Sequence, residues 1–407
     1  MLPRVRIIFE NGALKQLIAS QDGVLGIVAT GAAVVDFFAL NTPYKITKFS
    51  DLEDDLGITE LNNPGIYKAV KEFYDEVKSM QDIDASEVNV PLWLMGVADT
   101  ISLTNMADIT QTNYGKALIQ GANGVLRGII FKRTPANGYT PVVTDGLDAD
   151  VFTAIAKAQE LCEWATNTLK APLFALIEGR SFTDDADDLI DLTTLESNRV
   201  GVLIGDTESG ANAAVGLLAG RIACNKVSRN IGAVKDGKLS ISSGYVGTID
   251  ASLAEVSDIH DKGYITLRTH VGRDGYFFTD DPLATLPTDD YKSLTARRTI
   301  DKAYRIAYDT LLDELLADVS ITDLGAIAPS YAKSIETTVE NAIISAMTNN
   351  NELGNDPANQ NDKGVQCNIN VSQNIVSTGI LIVIIKIKPK GYSKYIDVKL
   401  GFKAITA

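Results

Sequence analysis

The chain has 407 residues, 45% of them hydrophobic and 22% charged, so it is long enough to bury a large core and is not a disordered polymer. A formal charge of −15 argues against a sequence-independent nucleic-acid binder, which needs surplus Lys and Arg against phosphate. Three cysteines, Cys162, Cys224 and Cys367, are odd in number and lack CxxC spacing, which predicts reduced, mostly buried thiols from a cytoplasmic environment. Met1-Leu2-Pro3-Arg4 runs straight into strand-forming residues, an expectation of no signal peptide. No apolar run reaches the ~18 residues of a membrane helix, so a soluble protein without membrane insertion is expected.

At residues 5–9, Val5, Ile7 and Phe9 share one side of a predicted strand, with Arg6 and Ile8 on the other. A glycine-bracketed apolar run at 23–31 and a short run at 44–49 also read as strands, and 50–54 as a short helix start. Asn63-Pro64 opens an amphipathic helix with Ile66, Ala69, Val70, Phe73, Val77 and Met80 on one face. A buried strand at 90–97 contains Trp93. A helix–strand rhythm follows, with helices at 107–120, 150–169 and 211–223 and strands at 125–131, 172–178 and 199–205. That alternation predicts an α/β layer around a largely parallel sheet. Residues 225–288 are glycine-rich, with strands expected at 263–270 and 275–279.

The pattern changes at residues 287–290. A long helix runs through 317 with Tyr304, Ala307, Leu311, Leu312 and Leu315 on its expected buried side. Another at 330–347 carries Ile335, Val339, Ala342, Ile343 and Met347, and a polar loop fills 349–363. Three strands are expected to finish the chain. The last two, 379–388 and 392–400, flank a Pro389-Lys390-Gly391 turn. In the second, Tyr392, Lys394, Ile396, Val398 and Leu400 alternate with Ser393, Asp397 and Lys399. The predicted fold class is α/β and α+β: an N-terminal arm (1–22), a middle α/β domain (23–287) and a C-terminal α+β domain (288–407).

Residues 205–210, Gly-Asp-Thr-Glu-Ser-Gly, sit where a phosphate loop would lie, yet Gly210 is followed by Ala211-Asn212 rather than Lys-Ser/Thr. Asp206 and Glu208 would repel phosphate, so a structural turn is expected. Asp184, Asp185, Asp187, Asp188 and Asp191 lack the ligand register of a calcium loop and read as acids in the first turn of a helix. His260 and His270 have no metal spacing, and no GxSxG elbow is present. Arg297, Arg298, Lys302 and Arg305 form a basic stripe, read as either a solvated face or an acid-binding face between subunits.

Taken together, the segments 23–28 (GVLGIV), 44–49 (YKITKF), 51–57, the helix ending near Met80 and the strand at Trp93 resemble the contractile-tail sheath family. Asn198-Arg199-Val200, 215–222 (VGLLAGRI), 296–304 (ARRTIDKAY), 364–367 (GVQC), Asn374, Gly379 and the closing strands continue the resemblance along nearly the whole chain. The outer region departs from the family in being compact. Sheaths of this kind occur in contractile phages, R-type bacteriocins and injection systems.

The resemblance implies a non-enzymatic helical homo-polymer around an inner tube, with no cofactor, contracting by rearrangement of folded subunits. It implies terminal strands exchanged between subunits, here Val5, Arg6, Ile7, Ile8 and Phe9 with Tyr392, Tyr395, Ile396, Asp397, Val398, Lys399 and Leu400. The C-terminal domain would face the tube, with Lys333, Glu336 and Glu340 as tube-facing candidates and Arg297, Arg298, Lys302 and Arg305 as basic interface candidates. Implied partners are other copies, the inner tube, and baseplate and tail-terminator proteins, assembled in a bacterial cytoplasm into a phage tail or injection particle. Alternative readings are an α/β nucleotide-binding enzyme, or a tube or baseplate component of the same machine.

Overall fold

Strands without polar alternation need cover on both faces, which a parallel sheet wrapped in helices supplies. In a computed structural model, which describes residues 21–83, 88–356 and 358–400, the apolar runs form one eight-stranded sheet. Its strands are β1 (Leu25–Thr30), β2 (Tyr44–Ile46), β3 (Leu92–Val97), β4 (Gly128–Lys132), β5 (Phe174–Glu178), β6 (Val200–Ile204), β7 (Ile265–His270) and β8 (Arg273–Phe278). The order is β8-β7-β6-β5-β4-β1-β3-β2. The inner strands are parallel, and the edges β2 and β8 run antiparallel to their neighbours. Every residue of β1, β4, β5 and β6 is buried.

Helix α1 (Pro64–Gln81) buries Ile66, Ala69, Val70, Phe73 and Val77, the face its spacing predicts. Between β3 and β4 the expected helix 107–120 is instead two, α2 (Leu103–Ala107) and α3 (Gly115–Gly121). Short polar side chains divert the backbone there: Ser102 caps α2 through the Asn105 N–H, and Asp108 accepts the Thr110 N–H at 2.8 Å. Helix α4 (Ala149–Leu169) precedes β5, and α5 (Val215–Cys224) follows β6. Helix α5 lies almost backbone to backbone on α1. A Cβ on Gly216 would stand 2.0 Å from the Ala69 carbonyl oxygen, and one on Gly220 2.5 Å from that of Phe73. This contact requires the small residues of α5.

The acids at 184–191 do not open a helix. Asp184 accepts the Thr248 N–H at 2.7 Å, and Asp191 caps the single 3-10 turn Leu192–Thr194. Asp185 and Asp191 accept backbone N–H groups two residues on, in preference to joining a helix, whereas Asp184 binds a distant segment.

The compact units divide after Tyr308, inside helix α6 (Leu294–Leu312). The first turns of α6 bury Leu294, Thr295, Arg297, Arg298 and Asp301. The helix stops short of 317, and Leu312 and Leu315 are exposed rather than buried. In the second unit, α7 (Pro329–Ile343) continues into one π turn, Ile344–Thr348, and buries Ala332, Ile335, Val339 and Ile343, with Met347 beyond it. Strand β9 (Val365–Ile369), a one-turn helix (Ile375–Thr378) and β10 (Val383–Ile387) follow. β9 and β10 pair antiparallel, with Cys367 opposite Ile385.

Of the three strands expected to finish the chain, the first two are formed. Residues 392–400 make no ladder within the chain's described residues, and Pro389 bridges to Leu353 instead of turning the chain back onto β10. Extended sequence becomes a strand only where a partner ladder exists. Residues 5–9 lie outside the described residues. No described helix is long and apolar enough to cross a membrane.

Candidate assembly surface

A doubly wound sheet holds ligands at the carboxyl ends of its strands, where strand order reverses. Here β1 lies between β3 and β4, which puts that crevice beside Thr30 and Lys132. The chain's own side chains fill it. Thr30 Oγ1 donates to the Thr134 carbonyl at 2.8 Å and accepts its N–H at 2.6 Å. The buried Lys132 ammonium stands 3.1 Å from Glu178, which also accepts the N–H groups of Arg133 (2.8 Å) and Ala213 (3.1 Å).

The 205–210 segment is a structural turn, with Gly205 at φ +122. Its acids do not face a phosphate; Asp206 and Glu208 hold Lys68 at 2.8 and 3.3 Å. Beside them Glu72 is pushed up to about 7, first by burial and then by the Asp206 charge. His260 meets Asp280 (3.3 Å) and Asp261 (3.1 Å), and the Asp280 bond raises its pKa. Burial, aided by Arg268 and Arg273, lowers that of His270, which packs on Phe277. Cys162 and Cys367 are buried and Cys224 is half-buried, and burial raises all three thiols, to about 12, 11 and 12 respectively. Among the described residues no His/Cys/Asp/Glu cluster could hold a metal ion.

The basic stripe of α6 is neither a solvated face nor, in the described chain, an open interface. Arg298 donates to the carbonyls of Ile222 (3.1 Å) and Asn225 (2.9 Å), closing the C-terminus of α5. Arg297 stacks on Tyr291 and reaches Asp301 at 2.7 Å, while Arg199, just before β6, meets the same Asp301 at 3.2 Å. Lys302 and Arg305 converge on Asp22 at 2.6 and 3.1 Å. Arg297 and Arg298 are buried and Lys302 and Arg305 half-buried, because most of their acceptors are brought in from distant segments. Asp301 was legible as an i,i+4 partner of Arg297, whereas nothing local marks Asp22.

In the second unit the candidates Lys333, Glu336 and Glu340 part ways. Lys333 is exposed and pairs with Glu336 at 3.0 Å. Glu336 and Glu340 turn inward to β9, accepting the main-chain N–H groups of Ile369 and Cys367, each at 2.8 Å. The Ile369 N–H, with help from Lys333, holds the Glu336 carboxyl below the usual range. The exposed side of α7 is therefore Lys333, Ser334, Thr337, Thr338 and Asn341. Exposed apolar residues follow one another at the end of the described chain: Tyr395 is 80%, Ile396 78%, Val398 77% and Leu400 97% exposed.

Two family models cover almost the whole sequence, DUF2586, N-terminal domain, over residues 2–282 and DUF2586, C-terminal domain, over residues 290–406. The chain belongs to the DUF2586 family. No curated protein matches it in sequence. The two DUF2586 models meet near the break expected at 287, ahead of the division inside α6. Among solved structures, a chain of the anti-feeding prophage baseplate is similar over 99% of both chains, with TM-score 0.63 at 13% identity. A chain of the anti-feeding prophage helical sheath in its contracted state matches over 98% of this chain and 99% of its own, with TM-score 0.61 at 14% identity. A chain of the contracted PVC sheath complex, from an extracellular contractile injection system, matches over 98% and 97%, with TM-score 0.60 at 11% identity. This DUF2586 chain thus has the fold of contractile tail sheath proteins.

Proposed function

We propose that the chain is a non-enzymatic subunit of a contractile tail sheath, polymerising helically around an inner tube and contracting by rearrangement of folded subunits. The observation that carries this reading is end-to-end similarity to a chain of a helical sheath, both units included. The filled crevice at the carboxyl edge of the sheet supports a structural role over the nucleotide-binding alternative. In this reading residues 392–400, and residues 5–9 of the N-terminal arm, add as strands to sheets of neighbouring copies. Such head-to-tail pairing does not close on itself and so builds a helix. The C-terminal domain with the N-terminal arm faces the tube through the polar side of α7, Lys333, Ser334, Thr337 and Thr338, in place of Glu336 and Glu340. The particle is a phage tail or an injection system assembled in a bacterial cytoplasm, with tube, baseplate and tail-terminator proteins as further partners. Similarity to a baseplate chain also supports a position at the baseplate end of the same machine.

Negative-stain microscopy of the purified protein tests this directly. Tubes or stacked rings are expected. A protein that stays monomeric at every concentration and salt condition, or that binds ATP or GTP saturably in a calorimeter, would overturn it.

A further inference from the structure

Helix α1, the turn after β6 and the segment 240–243 enclose a cleft of about 560 Å³, within the size range of small-molecule sites. Four carboxylates line it, those of Glu60, Glu72, Asp75 and Glu208, against the two ammonium groups of Lys68 and Lys71. Both ammonium groups are engaged inside the chain, Lys68 by Asp206 at 2.8 Å and Lys71 by Asp75 at 2.5 Å. Negative charge is therefore in excess at the cleft. Glu72 decides what it can take. That residue is only 9% exposed. Its Oε1 accepts the Thr207 hydroxyl at 2.9 Å, and Lys68 Nζ stays 3.8 Å from the same oxygen. Its Oε2 is buried with no hydrogen-bond partner among the described residues. A buried carboxylate oxygen without a donor is costly, and one kept at the wall of a cleft has room for a donor from outside.

We propose that this cleft binds an organic cation through Glu72, and that the cation is a guanidinium group. A guanidinium carries positive charge and several N–H donors in one plane, so it supplies the donor that Oε2 lacks and lies flat against Tyr67 at the cleft wall. A metal ion fits less well, because no His/Cys/Asp/Glu cluster among the described residues could hold one. The cleft lies wholly within the first unit, so the proposal stands apart from the sheath reading. Besides Lys68 and Thr207, Glu72 faces Asp206 from the turn and Lys132 from β4. Burial and the Asp206 charge favour its protonated form, which Lys132 and Lys68 oppose. A bound cation shifts that balance, so binding is linked to loss of the Glu72 proton. With Glu72 titrating at about 7, its ionised share rises about ten-fold from pH 6 to pH 8, and the affinity rises with it.

Calorimetric titration of the full chain with methylguanidine and with N-acetyl-arginine amide tests the site. Saturable binding is expected, about ten-fold tighter at pH 8 than at pH 6. Tetramethylammonium, which has the charge but no N–H donor, should not bind. Glu72→Gln should weaken binding about ten-fold at pH 8, as loss of a charged hydrogen bond does, and should erase the pH dependence. Should that variant not fold, Tyr67→Leu localises the site instead, by a loss of roughly three-fold. The two probes separate the sources of the group. Much tighter binding of N-acetyl-arginine amide assigns the cleft to an arginine side chain of another protein chain, and equal binding assigns it to a free guanidinium compound. The proposal is overturned by no saturable binding of either probe at pH 8, or by tetramethylammonium binding as well as they do. Unchanged binding in the variant that folds, or a pH dependence that survives Glu72→Gln, overturns it too.

Discussion

Lys132 Nζ stands 3.1 Å from Glu178 Oε1 at the carboxyl ends of β4 and β5, with both side chains buried. Glu178 also accepts two main-chain N–H groups, so it ties β4, β5 and the approach to α5 together. Removing one partner of a buried pair leaves an uncompensated charge, and Glu178→Ala should cost about 3–5 kcal/mol. Lys132→Met should cost less, because Arg180 remains 3.6 Å from Glu178. Urea unfolding of the two variants checks the order.

Arg298→Ala should destabilise the folded subunit by about 1.5–3 kcal/mol, since a charged donor is lost from buried carbonyls. It should leave the salt dependence of assembly unchanged, because Arg298 is spent inside the chain. Sedimentation from low to high salt separates these outcomes. A flattened salt dependence would restore the basic stripe as an interface.

Glu72 makes stability depend on pH. Its folded pKa is raised from 4.5 to about 7, chiefly by burial, so the folded state binds the proton more tightly than the unfolded chain. Its contribution is therefore complete below about pH 4.5 and lost as pH rises through 7, by roughly 3 kcal/mol. Glu72→Gln keeps an acceptor for the Thr207 hydroxyl and should match the wild type at pH 4 while exceeding it at pH 8. Equal urea midpoints at pH 8 would show that Glu72 is not the source.

Truncation after Pro389 removes residues that make no ladder in the described chain and leaves β9–β10 intact. The truncated protein should still fold and fail to polymerise. Normal tubes from it, seen by microscopy, would remove residues 392–400 from the assembly mechanism.

Periodicity alone determined the parts of this protein whose contacts are one-sided and local. The stripe of α1, the uninterrupted apolar runs of β1 and β4–β6, and the helix–strand rhythm each report burial at fixed spacing, so the α/β sheet was legible in sequence. The order of family segments similarly announced the sheath fold. Partner choice was decided only by the tertiary structure. Arg298 reads as a surface cation until α5 delivers its carbonyls, and Glu336 reads as solvent-facing until β9 brings up the Ile369 N–H. Residues 392–400 have the alternation of a strand but no ladder in their own chain's described residues, because a strand is a property of two segments and sequence records one.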